Sequence, residues 1–325
     1  MQVEHTIIVG GGPCGMSCAI ELQNHDIQPL IIEKENIVNT IYNFPTHQTF
    51  FSSSEKLEIG NIAFITERQK PVRNQALAYY RSVADRHNLR INTFERVTSI
   101  KKIGKLFHVD TESINGQIKS YQAQNVVVAT GYYDQPNYMG IPGEELGKVM
   151  HYFKESHPYF NKEVLIVGGK NSAVDAALEL HKAGANVTVL YRGESYSKSI
   201  KPWILPEFDA LVRKEEVKMD FNAEVTEITN THVIYMVNGE RKVVVNDFVF
   251  AMTGYKPDYA FLRQIGIKIE ENSGRPQFNE SSYETNIPGV FVAGVIAAGF
   301  NNNKIFIENG RHHGQAIANA IINKE

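Results

Sequence analysis

The chain has 325 residues, 42% apolar and 21% charged, with a formal net charge of −3. That length supports two domains with cores of their own, and the composition excludes disordered and fibrous classes. Near-neutral charge without a long Lys/Arg run argues against nucleic acid or an anionic membrane as the main partner, and no apolar run reaches the roughly 18 residues of a membrane span.

The chain opens on MQVEHTIIVGGG, without the basic, apolar and small-residue succession of a secretory signal. Its two cysteines, Cys14 and Cys18, stand four apart in one helical segment. They form no secreted disulfide framework and, lacking histidine neighbours, no zinc site; a reducing cytoplasm is the expected setting.

An apolar strand is expected over residues 6–9, then a Gly-rich turn, a helix over 14–24 and a second apolar strand over 29–33. This is the strand–helix–strand pattern of a parallel sheet covered by helices. The turn, Gly10-Gly11-Gly12-Pro13-Cys14-Gly15, fits G-x-G-x-x-G. Gly10 permits the tight turn, Gly12 lets backbone approach a pyrophosphate, and Gly15 lets helix pack on strand, so the helix N-terminus faces the phosphates. Glu33 stands eighteen residues beyond Gly15, where a carboxylate accepts hydrogen bonds from an adenosine ribose. A lone glycine pattern is weak; strand, helix and acid together predict nucleotide binding.

Residues 106–111 and 232–237, each followed by an Asn-Gly turn, predict antiparallel hairpins. Two apolar strands end in Thr130-Gly131 and Thr253-Gly254, and another over 289–294 precedes an Asn-rich loop, 301–303, and a closing helix from about Gly310. Pro136 and Pro142 mark the crossing out of a first domain and Pro257 the return. The expected organisation is a first dinucleotide-binding domain of residues 1–135 and 258–325, with a second, 136–257, inserted into it.

The inserted domain carries a second strand–helix–strand unit: strand 163–167, the turn Gly168-Gly169-Lys170-Asn171-Ser172-Ala173, helix 173–183 and strand 186–191. Lys170 replaces the second glycine. Its ammonium either pairs with a phosphate, displacing the nucleotide slightly, or weakens the site; the intact surroundings favour the first. The second strand ends Tyr191-Arg192 without an acid, and Arg192 with Lys198 or Lys201 suits a 2′-phosphate, which points to NADPH over NADH. The plainer alternative is a set of solvated loop bases.

At GGGPCG with Glu33, VVVATG, VGGKNSAVDAA, VLYRG, FAMTG and IPGVFVAG the sequence resembles the two-dinucleotide-domain flavoprotein disulfide reductases, in their thioredoxin-reductase-like branch, over nearly its whole length. Through GGGPCG, NFPTHQTFFSSSEKLEIG and VAGVIAAG it is similar, within that branch, to the bacillithiol disulfide reductases. The resemblance implies an α/β fold of two Rossmann-like dinucleotide-binding domains (three-layer ββα type), the NADPH domain inserted in the FAD domain. It further implies FAD and NADPH as cofactors, a small-molecule disulfide as substrate, a cytoplasmic setting and a homo-oligomer, dimer or tetramer. The FAD contacts it suggests are Gly10, Gly12, Pro13, Cys14, Gly15, Glu33, Lys34, Gln48, Val97, Thr130, Gly131, Gly294 and Val295. The NADPH contacts are Gly168, Gly169, Lys170, Asn171, Ser172, Ala173, Arg192, Lys198 and Gly254.

Two departures bear on chemistry. Residues 151–160 lack the C-x-x-C pair of thioredoxin reductases, so thioredoxin is not the expected substrate. Val295 stands where the superfamily commonly has an aspartate for the flavin's ribityl chain. Cys14, the residue matching the proposed active-site cysteine, is the candidate redox group. A helix N-terminus lowers a thiol's pKa, but a pyrophosphate at the same end opposes a thiolate, and a small residue filling a crowded turn is the plain alternative. Cys18 is expected to pack against the sheet. His312 and His313 are expected as surface or capping histidines rather than proton donors, and Trp203 as a loop anchor. Competing functions are a ferredoxin- or flavodoxin-NADP reductase, which needs no cysteine, a flavin monooxygenase, for which Gly147 and His151 match part of a fingerprint, and a non-catalytic nucleotide sensor.

Overall fold

The protein is described from a computed structural model covering residues 3–301 and 304–324, so Asn302 and Asn303 of the Asn-rich loop lie outside the described residues. The chain divides into two compact units, residues 1–135 with 255–325 and residues 136–254.

The first unit opens with β1 (Val3–Val9), α1 (Pro13–Gln23) and β2 (Leu30–Ile32). Short α2 (Asn39–Tyr42), α3 (Arg73–Arg86) and β3 (Arg90–Asn92) follow, then a meander of β4 (Glu95–Ile103), β5 (Leu106–Ser113) and β6 (Ile118–Val128). In β1, Ile8 faces the core formed with α1 and α3, while Ile7 and Val9 face the core shared with β4 and β5. Both faces of the strand are therefore buried, which is why it reads as an unbroken apolar run. Ile7 and Ile8 are fully buried, each contributing about 1.5–3 kcal/mol of burial free energy.

The sheet runs β3-β2-β1-β6-β5-β4. Strand β6 serves two purposes. Its first half, residues 118–123, pairs antiparallel with β5, whereas 126–128 pairs parallel with the last strand of the unit and 122–128 pairs parallel with β1. The expected hairpin and the expected apolar strand ending at Thr130 are thus two ends of one strand.

The second unit holds β7 (Val149–Met150), β8 (Glu163–Val167), α4 (Asn171–Lys182), β9 (Asn186–Leu190), α5 (Leu205–Arg213) and β10 (Lys218–Asp220). Then come β11 (Ala223–Ile228), β12 (His232–Val237), β13 (Glu240–Val245) and β14 (Phe248–Ala251). A parallel sheet β10-β9-β8-β14-β7 is accompanied by the antiparallel β11-β12-β13. Val225, Val233 and Tyr235 of the latter pack on Leu165, Leu190 and Val249 of the former. Helix α4 starts two residues earlier than the apolar period suggests, because Lys170 takes the N-cap.

The chain then re-enters the first unit through α6 (Tyr259–Ile265), β15 (Val290–Val292), α7 (Ile307–Gly310) and α8 (His313–Ile322). The closing helix begins three residues later than Gly310. Among the described residues, no helix is long and apolar enough to cross a membrane. Both units are α/β and Rossmann-like, one interrupting the other in sequence.

Candidate active site

In the first turn Gly10 has φ +112°, and a Cβ there would lie 2.5 Å from the Ala129 carbonyl oxygen. Gly15 presses its Cα against the Gly10 carbonyl, where a Cβ would come within 2.1 Å. Both glycines are demanded by the protein itself. Gly12 is different. It is the N-cap of α1 with extended backbone (φ −78°, ψ 176°), and a Cβ would meet nothing within 4 Å. Neither strain nor packing calls for glycine there. What the missing side chain leaves is open space at the mouth of an α-helix whose cap carries no side-chain hydrogen bond, and a pyrophosphate suits such a position.

Glu33 follows β2 directly and is buried. Its Oε2 accepts the Gly11 N–H at 2.7 Å and its Oε1 the Glu35 N–H at 3.0 Å. Burial raises its pKa, opposed by these two backbone bonds. Each carboxylate oxygen keeps a second lone-pair direction for a ribose hydroxyl. Gly11, given no role in the sequence pattern, is the residue that seats this acid, since a Cβ at 11 would lie 3.2 Å from the Glu33 Cβ. The signal was its place directly between Gly10 and Gly12, but its partner lies 22 residues away. Next to Glu33, Lys34 pairs with Asp134 at 2.6 Å, joining the end of β2 to the loop that follows Gly131.

Thr130 and Gly131 (φ +70°) lie half-buried just past the end of β6. Val97 is a core residue with its side chain turned into the apolar cluster, followed by a bulge in the β4–β5 pairing. Any contact it makes to a ligand is therefore through backbone. Gln48 donates to the Thr49 carbonyl at 2.8 Å, and His47 is exposed. Val295 is half-buried in the 3-10 helix Gly294–Ala298.

Cys14 sits in the first turn of α1, after Pro13. Its thiol lies in a slot bounded by two glycines. A Cβ on Gly310 would come 2.9 Å from Sγ, and one on Gly294 would come 3.1 Å from both Sγ and Cβ. Burial pushes this thiol up to about 12. Desolvation therefore outweighs the helix terminus, and Cys14 is a neutral thiol at pH 7. Cys18 is buried and pushed higher still, first by burial and then by Cys14 and Glu21. Both thiols are free, and Cys18 packs in the core with α1's other apolar residues.

The two histidines at the start of α8 part company. His312 is exposed, as expected, and takes the N-cap position without a side-chain cap bond, but His313 is buried. The expectation of a surface histidine is corrected there, because Tyr283 stacks on its ring at 4.0 Å and Gly294 N–H donates to its Nδ1 at 3.2 Å.

The second unit's turn repeats the first with a different filling. Gly168 (φ +148°) lies under the Met252 carbonyl oxygen, where a Cβ would come within 2.5 Å. Gly169 lies under the ring of Tyr191, whose atoms would be 2.3–2.6 Å from a Cβ. Lys170 is exposed and extended (φ −109°, ψ −172°), so the backbone accepts a side chain without strain. Asn171 fixes the helix start to the loop after β9: its Nδ2 donates to Ser199 O and its Oδ1 accepts from Lys201 N, both at 2.9 Å. Ser172 is exposed, and Ala173 is buried under the turn. Arg192 and Lys198 are exposed in that same loop. This helix mouth and its three cations fit a dinucleotide with an additional phosphate. Gly254 (φ +90°) ends the strand side of the unit near Asn137. Trp203 is 55% exposed, with the Lys201 ammonium 5.9 Å from its ring centroid, so it covers loop surface rather than filling the core. His151 lies 3.8 Å from buried Glu144, with Tyr138 edge-on to it.

A family model for pyridine nucleotide-disulphide oxidoreductases matches residues 7–294. Among solved structures, the bacillithiol disulfide reductase Bdr of Bacillus cereus is 62% identical with a TM-score of 0.99, each chain being covered in full. The enzyme of the same name from Staphylococcus aureus is 56% identical with a TM-score of 0.96, again over both full lengths. A Bacillus subtilis protein named bacilliredoxin reductase Bdr is 59% identical over 328 residues, covering all of this chain and 99% of its own length.

Proposed function

Because the chain belongs to the pyridine nucleotide-disulphide oxidoreductase family, we propose that it is an NADPH-consuming, FAD-dependent reductase of bacillithiol disulfide, a low-molecular-weight thiol disulfide. The observation that carries this reading is the first turn. An open helix mouth at Gly12, a seated Glu33 and a free thiol at Cys14 belong to one strand–turn–helix–strand unit, in a chain more than half identical to enzymes bearing that name.

FAD is assigned to the first unit: phosphates at the N-terminus of α1, the adenosine ribose on Glu33, and the remaining contacts on Lys34, Gln48, Val97, Thr130, Gly131, Gly294 and Val295. NADPH is assigned to the second, with its pyrophosphate at residues 168–173 and its 2′-phosphate on Arg192 and Lys198. When bound, the flavin supplies a two-electron relay between nicotinamide and disulfide. The net reaction consumes one NADPH and one proton and yields two thiols. The protein's part is to hold and orient the two nucleotides and keep water out. Cys14 is assigned to the disulfide. As packed it is protonated and a poor nucleophile, so this role requires its slot to open, or its proton to be taken, as substrate binds.

A second acceptor follows from the B. subtilis relative's name, which points to the disulfide of a bacilliredoxin. The test supplies flavin-loaded protein and NADPH with bacillithiol disulfide, oxidised bacilliredoxin, oxidised ferredoxin or flavodoxin, or oxygen alone. Expected is rapid NADPH consumption with two thiols per NADPH from bacillithiol disulfide. Rapid turnover confined to a protein electron carrier overturns the reading. Cys14→Ala with FAD retained is expected to lose disulfide-dependent turnover, and unchanged turnover removes Cys14 from the reaction.

A further inference from the structure

We propose that His313 is a positioning residue for the Cys14 thiol: its neutral imidazole accepts the Gly294 N–H and holds that glycine's Cα as one wall of the slot in which Sγ lies. The inference deepens the proposed function, resting on the reading that Cys14 is the thiol of the site.

The argument begins with how α8 meets α1. Ser17 Oγ donates to the Arg311 carbonyl at 2.6 Å. Gly314 lets the two helices close to backbone contact, since a Cβ there would lie 2.9 Å from Cys18 Cα and 3.0 Å from Cys18 N. These contacts flank His313 on either side and fix its Cα relative to the helix that carries Cys14. The ring is then fixed by stacking on Tyr283 at 4.0 Å and 20°, which itself stacks on Phe278 at 5.6 Å and 14°. Held this way, Nδ1 stands 3.2 Å from Gly294 N.

Protonation decides whether that bond exists. An imidazolium has no acceptor at Nδ1. Burial, reinforced by neighbouring His312, holds His313 down to about 4, so the ring is neutral at pH 7 and carries its proton on Nε2. Gly294 N–H is buried, and such a donor without a partner costs on the order of 1–3 kcal/mol. Removing the acceptor therefore drives the turn to rearrange.

That turn is the thiol's wall. Gly294 has φ +77°, and its missing Cβ is what clears Cys14 Cβ and Sγ. Gly310 closes the other side, close enough that a Cβ there would also lie 3.3 Å from Gly294 Cα. A shift of Gly294 therefore changes the space around Sγ.

The test compares His313→Gln, whose Oε1 can replace Nδ1 as acceptor, with His313→Leu, which fills similar volume and cannot accept. Both are made in flavin-loaded protein carrying Cys18→Ala, so that alkylation by iodoacetamide reports Cys14 alone. The Leu variant is expected to alkylate about tenfold faster, the effect of one lost ordinary hydrogen bond, with the Gln variant within about threefold of the parent. Equal rates in all three overturn the proposal. If the Leu variant does not fold, the imidazole 15N spectrum of the parent at pH 7, assigned by the signals missing in the Gln variant, decides the matter. An unprotonated Nδ1 with Nε2–H is expected, and Nδ1–H overturns it. Alkylation reads the resting thiol, not turnover. If Cys14→Ala leaves turnover intact, the role of Cys14 fails while this measurement still judges His313.

Discussion

The two glycine-rich turns share one backbone and differ in what covers it. In each, the first glycine lies under a carbonyl of a neighbouring strand's end, Ala129 or Met252, at the same would-be contact of 2.5 Å. In each, the helix N-cap is extended, Gly12 and Lys170 alike. The residue just past the second strand sits on the middle residue of the turn in both units, but it is Glu33 on Gly11 in the first and the Tyr191 ring on Gly169 in the second. The same architectural position thus offers a hydrogen-bonding acid in one unit and an aromatic lid over the turn in the other. Similar backbones do not make equivalent sites. The first presents a carboxylate seated on the turn, and in the second the exposed Lys170, Arg192 and Lys198 are the residues to which we assign recognition.

Exchanging the features tests this contrast. Gly12→Lys, which gives the first turn the second's side chain, adds a Cβ that meets nothing within 4 Å and is predicted to fold normally. It should cut FAD affinity more than about 100-fold by filling the phosphate approach. Flavin content and reconstitution of apoprotein check this, and full flavin occupancy would break the contrast. Arg192→Gln is expected to lower the preference for NADPH over NADH about tenfold, the value of one charged hydrogen-bonded contact, measured as the ratio of kcat/KM for the two. Lys170→Gly, which restores the usual glycine, is expected to weaken NADPH about fivefold through loss of the ammonium. Tighter binding would mean that Lys170 obstructs the site.

A last prediction concerns stability rather than binding, in the second unit. Asp175 in α4 is pushed up to about 6, first by burial and then by Glu179. Its folded pKa lies above the unfolded value of about 3.9, so its contribution to stability is present below pH 4 and lost as pH rises through 6. Asp175→Asn is therefore expected to raise stability by about 1–2 kcal/mol at pH 7.5 and by almost nothing at pH 4, read from denaturant unfolding at the two values. Equal gains at both would contradict the assigned burial.

The features legible in the sequence are those set by near neighbours. Gly10, Gly12, Gly15 and Glu33 belong to one strand–turn–helix–strand, and the period of apolar residues fixed its helix and second strand to within one position and its first strand to within three. What escaped depends on distant partners. Gly11 and Gly169 are required by side chains 22 residues downstream. The burial of His313 follows from the docking of α8 on α1 and the ring of Tyr283, neither of which leaves a local pattern. Strand β6 looked like two strands because its partner changes from β5 to β15 halfway along. The ionisation of Cys14 could not be weighed from position alone, since helix terminus and burial oppose each other and only packing against Gly294 and Gly310 shows which wins.

The central claim, electrons passing from NADPH through a flavin held by the first turn to a small disulfide, is tested most directly by separating the halves of the reaction. Flavin-loaded protein is reduced anaerobically with one equivalent of NADPH and then mixed rapidly with bacillithiol disulfide. The account predicts return of the oxidised flavin absorbance on the time scale of turnover with release of two thiols per flavin. Reduced flavin that persists in the presence of bacillithiol disulfide, yet reoxidises at once with a protein electron carrier, would contradict it.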